Sequence, residues 1–373
     1  MFYHLLAPFA ERHIVFNLFA YITFRTAGAG VTAILLSFVI GPFIIRRLQE
    51  KKVGQVIRAE GPRSHQGKQG TPTMGGIIVL ICTLVPTLLW AQLSNRYVIV
   101  AALATLWMGC IGFLDDYLKF VEGKSRGLVA KYKLVGQLTF GLGLAMYLLV
   151  WPLAPTVAAN TVTLPFFKYV LIPLPPVLYL AFVTFVTAGA SNAVNLTDGL
   201  DGLATGLTAI AAATLGIFAY LFGRVDTAEY LLVPYLAGAG ELTVFCVSLA
   251  GAALGFLWYN AHPAQVFMGD TGSLAIGGAF GTVAILLKSE FLLLIVAGVF
   301  VAEAASVILQ TSVYRWRKRR RGKSYADQHR LFRMAPLHHH FEQLGWPESR
   351  IVTRFYIIGI LCALFALSTL KIR

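Results

Sequence analysis

Leu106-Trp107-Met108-Gly109-Cys110-Ile111-Gly112-Phe113-Leu114-Asp115-Asp116 is an apolar run that stops on two adjacent carboxylates. Read as a helix, it places both acids at a C-terminus, where the helix dipole already presents partial negative charge. Two acids there are disfavoured unless a cation or a transferred proton offsets them. A helix end with no task would sooner carry Lys or Arg, so the pair reads as a functional site.

The composition makes that run one of a set. Of 373 residues, 57% are apolar and 13% charged, and the mean hydropathy is +0.70, more apolar material than one soluble core can bury. The apolar residues fall into stretches of about 20, the length that crosses roughly 30 Å of hydrocarbon. Ten spans are expected, near 22–45, 75–93, 97–115, 133–152, 168–190, 199–222, 235–258, 270–287, 291–314 and 351–370. The chain is therefore expected to be an all-α polytopic membrane protein, a single domain over residues 1–373. Gly202/Gly206, Gly251/Gly255 and Gly277/Gly281 carry the four-residue spacing that lets helix backbones approach in lipid. Cys82, Cys110, Cys246 and Cys362 lie inside apolar spans without paired spacing and read as packing residues. The start lacks the pattern of a cleaved signal peptide, so the first span is expected to direct insertion.

Lys and Arg sort the loops. Residues 46–74 carry seven, 116–133 five and 315–349 nine, against eight scattered over the opposite side. The positive-inside bias turns the three basic loops to the cytoplasm, with the short loops near 190–199 and 258–269, and leaves both termini outside. The net charge of +14 is then mainly a topology signal, with attraction to anionic lipid added. The basic run from Arg315 to Arg321 abuts a span directly, which argues against nucleic acid as a partner.

On this layout the other acids share the face of Asp115 and Asp116. Asn192, Asn195, Asp198 and Asp201 recur at every third position and would line one face of a helix. Capping by Asp198 would explain one of the four. Phe267-Met268-Gly269-Asp270-Thr271-Gly272-Ser273 opens the eighth span, with Asp270 either an N-cap or a hard-cation ligand. Mg²⁺ suits such a carboxylate, being held by one or two of them plus substrate phosphates. In Pro336-Leu337-His338-His339-His340-Phe341-Glu342, three consecutive histidines cannot all face one metal in regular structure. Hydrogen bonding to a phosphorylated substrate fits them better than zinc. The stretch Gly61 to Gly76 interleaves glycines with Lys68 and hydroxyls, a pattern able to cradle phosphate. Lys119, Lys131 and Lys133 follow the acid pair, and a phosphate contact is expected from at least one. Carboxylates, a divalent cation, lysines and a glycine-rich loop on one membrane face point to chemistry on a diphosphate.

These segments carry a resemblance. Leu114-Asp115-Asp116-Tyr117-Leu118-Lys119, Asn192 to Gly202, Phe267 to Ser273 and the ten-span layout resemble the polyprenyl-phosphate N-acetylhexosamine-1-phosphate transferases nearly end to end. Within that superfamily, Pro62 to Gly76 and Pro336 to Glu342 are similar to the phospho-N-acetylmuramoyl-pentapeptide transferases, bacterial enzymes that make lipid I. The resemblance implies transfer of phospho-N-acetylmuramoyl-pentapeptide from its UDP-linked form to undecaprenyl phosphate, with release of UMP and Mg²⁺ as cofactor. It implies the bacterial inner membrane as location, an active site on the cytoplasmic face, and a homodimer. By matching positions it implies Asp270 as metal ligand and, with Asp115 and Asp116, as a catalytic acid. Lys68, Lys131, Asn195, Asp198, Asp201, His338 and His339 would line the substrate pocket, and Asn260 and Phe267 would contact the uracil.

The chemistry agrees with that implication. A phosphomonoester acceptor is already anionic at pH 7, so attack on the sugar-side phosphorus needs alignment and relief of repulsion more than base activation. A covalent route in which an Asp attacks first stays open. Three other functions compete: a UDP-N-acetylglucosamine transferase, a polyprenyl-linked sugar transporter, and a non-catalytic scaffold. Transport would place ionisable residues near mid-span, where Glu303 is the clearest case and Glu241 lies nearer a span end. A scaffold gives the gathered acids no purpose, and the His338–Glu342 segment points away from UDP-N-acetylglucosamine.

Overall fold

The computed structural model describes residues 1–11, 13–51, 70–122, 128–154, 157–167 and 170–372. Lys68 and most of the glycine-rich stretch lie outside them. Two short helices, α1 (Phe2–Leu6) and α2 (Ile14–Asn17), precede α3 (Ile22–Glu50), α4 (Gly76–Trp90), α5 (Arg96–Glu122) and α6 (Ala130–Val150). A hairpin of β1 (Thr161–Thr163) and β2 (Leu171–Pro173) leads to α7 (Pro176–Thr197), α8 (Leu203–Phe222), α9 (Val225–Leu231), α10 (Leu242–Asn260) and α11 (Gly269–Leu286). Then follow α12 (Glu290–Val296), α13 (Gly298–Arg321), α14 (Lys323–Gln328), α15 (Leu337–Glu342) and α16 (Glu348–Ile372).

The fold is all-α and polytopic, as expected. Among the described residues seven helices are long and apolar enough to cross a membrane: α3, α5, α6, α7, α8, α10 and α16. An eighth is added if α12 and α13, bent by 90°, count as one span. The stretch expected near 75–93 forms the 15-residue α4. The one near 270–287 forms α11, whose residues from Thr271 to Leu286 are all buried. A helix enclosed by its neighbours needs no lipid-facing stripe, so Thr271, Ser273 and Thr282 are tolerated in it. Side chains such as Val39, Phe185 and Leu361 are exposed on the outside of the bundle, as a surface solvated by lipid requires.

Three expected spans differ from what is observed. The one expected over 97–115 runs on as α5 to Glu122, so Asp115 and Asp116 lie within the helix and not at its C-terminal end. The helix expected to begin near 168 begins at Pro176, because the chain before it pairs antiparallel, Val162 opposite Ile172. Pro176 sits in the first turn of α7, where a missing N–H costs nothing. The span expected over 291–314 is broken at Ala297, whose φ of −96° and ψ of 26° leave the α region. The glycine pairs do pack helices together. A Cβ at Gly251 would lie 2.6 Å from Gly30 O, and one at Gly277 would lie 2.4 Å from Ala190 O.

Contacts fix which helix ends meet. Arg25 at the start of α3 pairs with Glu241 just before α10, and the Met1 amino group donates to Leu88 O near the end of α4. Lys371 lies over the Tyr230 ring of α9. Both chain ends therefore sit at the end of the bundle away from Asp115 and Asp116.

Candidate active site

The site starts from a close approach of two helices. A Cβ on Gly112 of α5 would lie 2.1 Å from Asp270 O, so only glycine lets α11 begin against this turn. That contact brings Asp116 under the first turn of α11, where its carboxylate accepts from Asp270 N (3.1 Å), Thr271 N (2.9 Å) and Thr271 Oγ1 (2.7 Å). Asp116 is thus the N-terminal cap of α11, supplied by another helix. Asp270, in that first turn, makes no cap bond of its own.

Its carboxylate is left for other partners. Asp270 Oδ2 accepts from Lys133 Nζ (2.8 Å) and Lys119 Nζ (3.1 Å), and Oδ1 from Asn195 Nδ2 (2.8 Å). Asn195 also donates to Ser273 Oγ (2.9 Å). Lys119 Nζ lies 2.5 Å from Asp115 Oδ2 and 3.8 Å from Asp116 Oδ1, and Asp115 Oδ1 accepts from Leu128 N (2.8 Å). Asp115, Asp116 and Asp270 offer oxygens within 4.8 Å of one another. Three carboxylates against two ammonium groups leave one negative charge in excess. The Lys119 ammonium lies among all three, so the cluster already holds a positive charge. Hard oxygen donors at this separation fit a divalent cation.

The turn from α7 to α8 lies beside this cluster. Asp198 occupies it, and burial pushes its carboxyl up to about 8, reinforced by Asp270, Asp116 and Asp201 and opposed by the Gly269 N–H. Asp201 Oδ2 lies 3.1 Å from His262 Nδ1 and accepts from Ala264 N (3.1 Å). Glu348 of α16 accepts from Asp201 N (2.6 Å). Asp201, His262 and Glu348 form a second group with ligand spacing. Asn260 accepts from Gly202 N (3.2 Å) and Thr205 Oγ1 (2.6 Å) and donates to Val266 O (2.9 Å), so its amide is committed to this turn. Phe267 N donates to Pro72 O and Gly75 N to Phe267 O, both at 2.8 Å. The end of the glycine-rich stretch is thereby fastened to the approach of α11.

Asp115, Asp116, Asn195, Asp198 and Asp270 come together as expected, with Asp201, Asn260 and Phe267 flanking them. The every-third pattern does not survive as one helical face, because α7 ends at Thr197 and Asp198 (φ −79°, ψ 54°) has left the helix. His338 is fully buried, while His339 Nδ1 pairs with Glu342 Oε2 at 2.7 Å. Lys131 stands apart, exposed over the Tyr132 ring, and Lys133 reaches the acids in its place. Lys119 was legible as the i+4 partner of Asp115. His262 and Glu348 enter from elements whose proximity no local pattern announces.

Two family models match the chain: Glycosyl transferase family 4 over residues 98–288, which includes every acid of the cluster, and Phospho-N-acetylmuramoyl-pentapeptide-transferase signature 1 over residues 68–80. Curated relatives named phospho-N-acetylmuramoyl-pentapeptide-transferase match end to end. The protein of Gemmatimonas aurantiaca is 63% identical, that of Desulfatibacillum aliphaticivorans 52% and that of Citrifermentans bemidjiense 50%, each over 100% of both chains. An acid cluster on a membrane bundle and this identity over the whole length lead to one conclusion: the chain belongs to the phospho-N-acetylmuramoyl-pentapeptide-transferase family.

Proposed function

We propose that this protein transfers phospho-N-acetylmuramoyl-pentapeptide from UDP-N-acetylmuramoyl-pentapeptide to undecaprenyl phosphate, giving lipid I and UMP. The observation that carries the reading is the meeting of Asp115, Asp116 and Asp270 with Lys119 and Lys133 at one end of a membrane bundle. One substrate stays in the bilayer and the other in the cytoplasm, so chemistry between them belongs at such an end. That end faces the cytoplasm of a bacterial inner membrane, with ten crossings and both termini outside, as the basic loops favour.

The acceptor phosphate attacks the sugar-side phosphorus directly. Asp115, which unlike Asp116 does not cap α11, takes any residual proton from it, since a phosphomonoester loses its second proton near pH 6. Lys119 and Lys133 reduce the repulsion between two anions and align them. Asp270, with Asp115 and Asp116, would hold Mg²⁺, which supplies charge neutralisation for the departing UMP. Asn195 orients Asp270. Asp198, Asp201 and His339 face the donor, with Lys131 at the mouth and His338 behind the Asp198 turn, and the family resemblance gives Lys68 a substrate-binding role as well. Phe267 meets the uracil, and Asn260 fixes the turn beside it. Family resemblance supports a homodimer.

The test is UMP release by purified protein with undecaprenyl phosphate and Mg²⁺. Release from UDP-N-acetylmuramoyl-pentapeptide alone, lost with EDTA, is expected. Release from UDP-N-acetylglucosamine instead would overturn the donor assignment, and release from neither would overturn the transferase reading.

A further inference from the structure

Glu303 lies in α13, outside the acid cluster, and is 0% exposed. A lone carboxylate buried among helices is costly unless something answers it. What answers it is His338. Glu303 Oε1 accepts from the backbone N of His338 at 3.1 Å, and Oε2 lies 3.3 Å from His338 Nδ1. His338 is itself 0% exposed. Its other ring nitrogen faces the α7–α8 turn: a Cβ on Gly199 would lie 2.2 Å from His338 Nε2. Among the described residues, no aligned hydrogen bond reaches Glu303 Oε2 or either imidazole nitrogen, all of them buried. Such groups persist where they serve an arrangement.

We propose that Glu303 is a positioning residue for the transfer reaction, acting through His338 on the turn that carries Asp198 and Asp201. The carboxylate holds the proton of His338 on Nδ1 and fixes the ring plane. Nε2 is then presented to the Asp198–Gly199 turn, and the bulk of the ring sets how far that turn can retreat from the acid cluster. Residue 199 is glycine because the imidazole takes the space a Cβ would need. A carboxylate at Nδ1 that fixes tautomer and ring orientation is the arrangement by which outer residues tune an active-site histidine. The inference rests on the transferase reading for its kinetic consequence, and on geometry alone for the state of the imidazole.

The test uses the full chain and Glu303→Gln, which keeps size and one acceptor for the His338 N–H but turns an amide NH₂ toward Nδ1. Nitrogen-15 NMR of histidine-labelled protein, with the His338 signal assigned by its loss in His338→Asn, should show Nδ1 protonated in the wild type. The proton should move to Nε2 in Glu303→Gln. UMP release should fall about 10- to 100-fold in kcat/KM, the scale at which outer-shell partners act. Gly199→Ala, which crowds the same ring from the other side, should fall similarly, and the double variant should fall no further than either single one. An Nε2–H tautomer in the wild type, a Glu303→Gln protein of undiminished kcat/KM, or additive losses would each overturn the proposal. Wild-type protein that releases no UMP would overturn the transferase reading instead, and the tautomer measurement would still decide the pairing.

Discussion

The two ends of the bundle treat buried charge in opposite ways. At the end with the chain termini, Arg25 and Glu241 form one closed pair, at 2.7 and 2.5 Å, with side chains 1% and 5% exposed. Glu241 also accepts from Gln92 N at 3.0 Å, and Arg25 donates to Trp90 O at 3.3 Å. The charges cancel and both Glu241 oxygens accept hydrogen bonds, so this end joins α3, α4 and α10 through a neutral pair. At the other end three carboxylates face two lysines, the sum is negative, and Asp270 is partly open. A satisfied pair is architecture, whereas an unbalanced cluster awaits a partner.

The sharpest way to break this contrast is to mutate both ends. Asp270→Ala should lower kcat for UMP release by at least about a hundredfold and leave the melting temperature in detergent nearly unchanged. Undiminished turnover at ordinary Mg²⁺ would make the acid end architectural too. Arg25→Met should do the reverse. Leaving Glu241 buried without its partner costs about 3–5 kcal/mol, read as a drop in melting temperature, while protein that remains folded turns over normally.

Two lysines sharpen the assignment within the active end. Lys133→Met removes a charged bond to Asp270 and should lower kcat by about tenfold or more. Lys131→Met, exposed at the rim, should raise the donor KM a few-fold and leave kcat alone. Equal effects on kcat would erase the distinction drawn from the structure.

The contrast between these lysines also shows where sequence reading stops. Periodicity and length made the helices legible, because lipid imposes about 20 apolar residues on each crossing whatever its neighbours are. Charge made the active end legible, since Asp115, Asp116, Asp198 and Asp270 stand out against apolar surroundings. The choice of Lys133 over Lys131 depends on the rotational phase of α6 against α11, and the pairing of Glu303 with His338 on how α13 passes α15. The hairpin of β1 and β2 and the break at Ala297 were hidden for a similar reason. Both occur inside or beside apolar runs whose composition alone reads as continuous helix.

Asp198 gives an effect that is read in the pH dependence of stability rather than in turnover. Burial pushes its carboxyl up to about 8 in the folded protein, against about 4 in the unfolded chain, so between those values the folded state binds the extra proton. Stability should fall as pH rises through that window and level off above it. Asp198→Asn should flatten the melting temperature of metal-free protein between about pH 5 and 8 relative to wild type. Parallel curves would mean that the Asp198 carboxyl is not held protonated by the turn.

The most direct test of the acid end is Mn²⁺ binding followed by electron paramagnetic resonance in protein without substrate. Wild type and Arg25→Met should both deplete the free Mn²⁺ signal with one strong site per chain, and Asp270→Ala should leave the signal as in buffer. Equal depletion by wild type and Asp270→Ala would contradict the assignment of Asp115, Asp116 and Asp270 as the cation-holding centre.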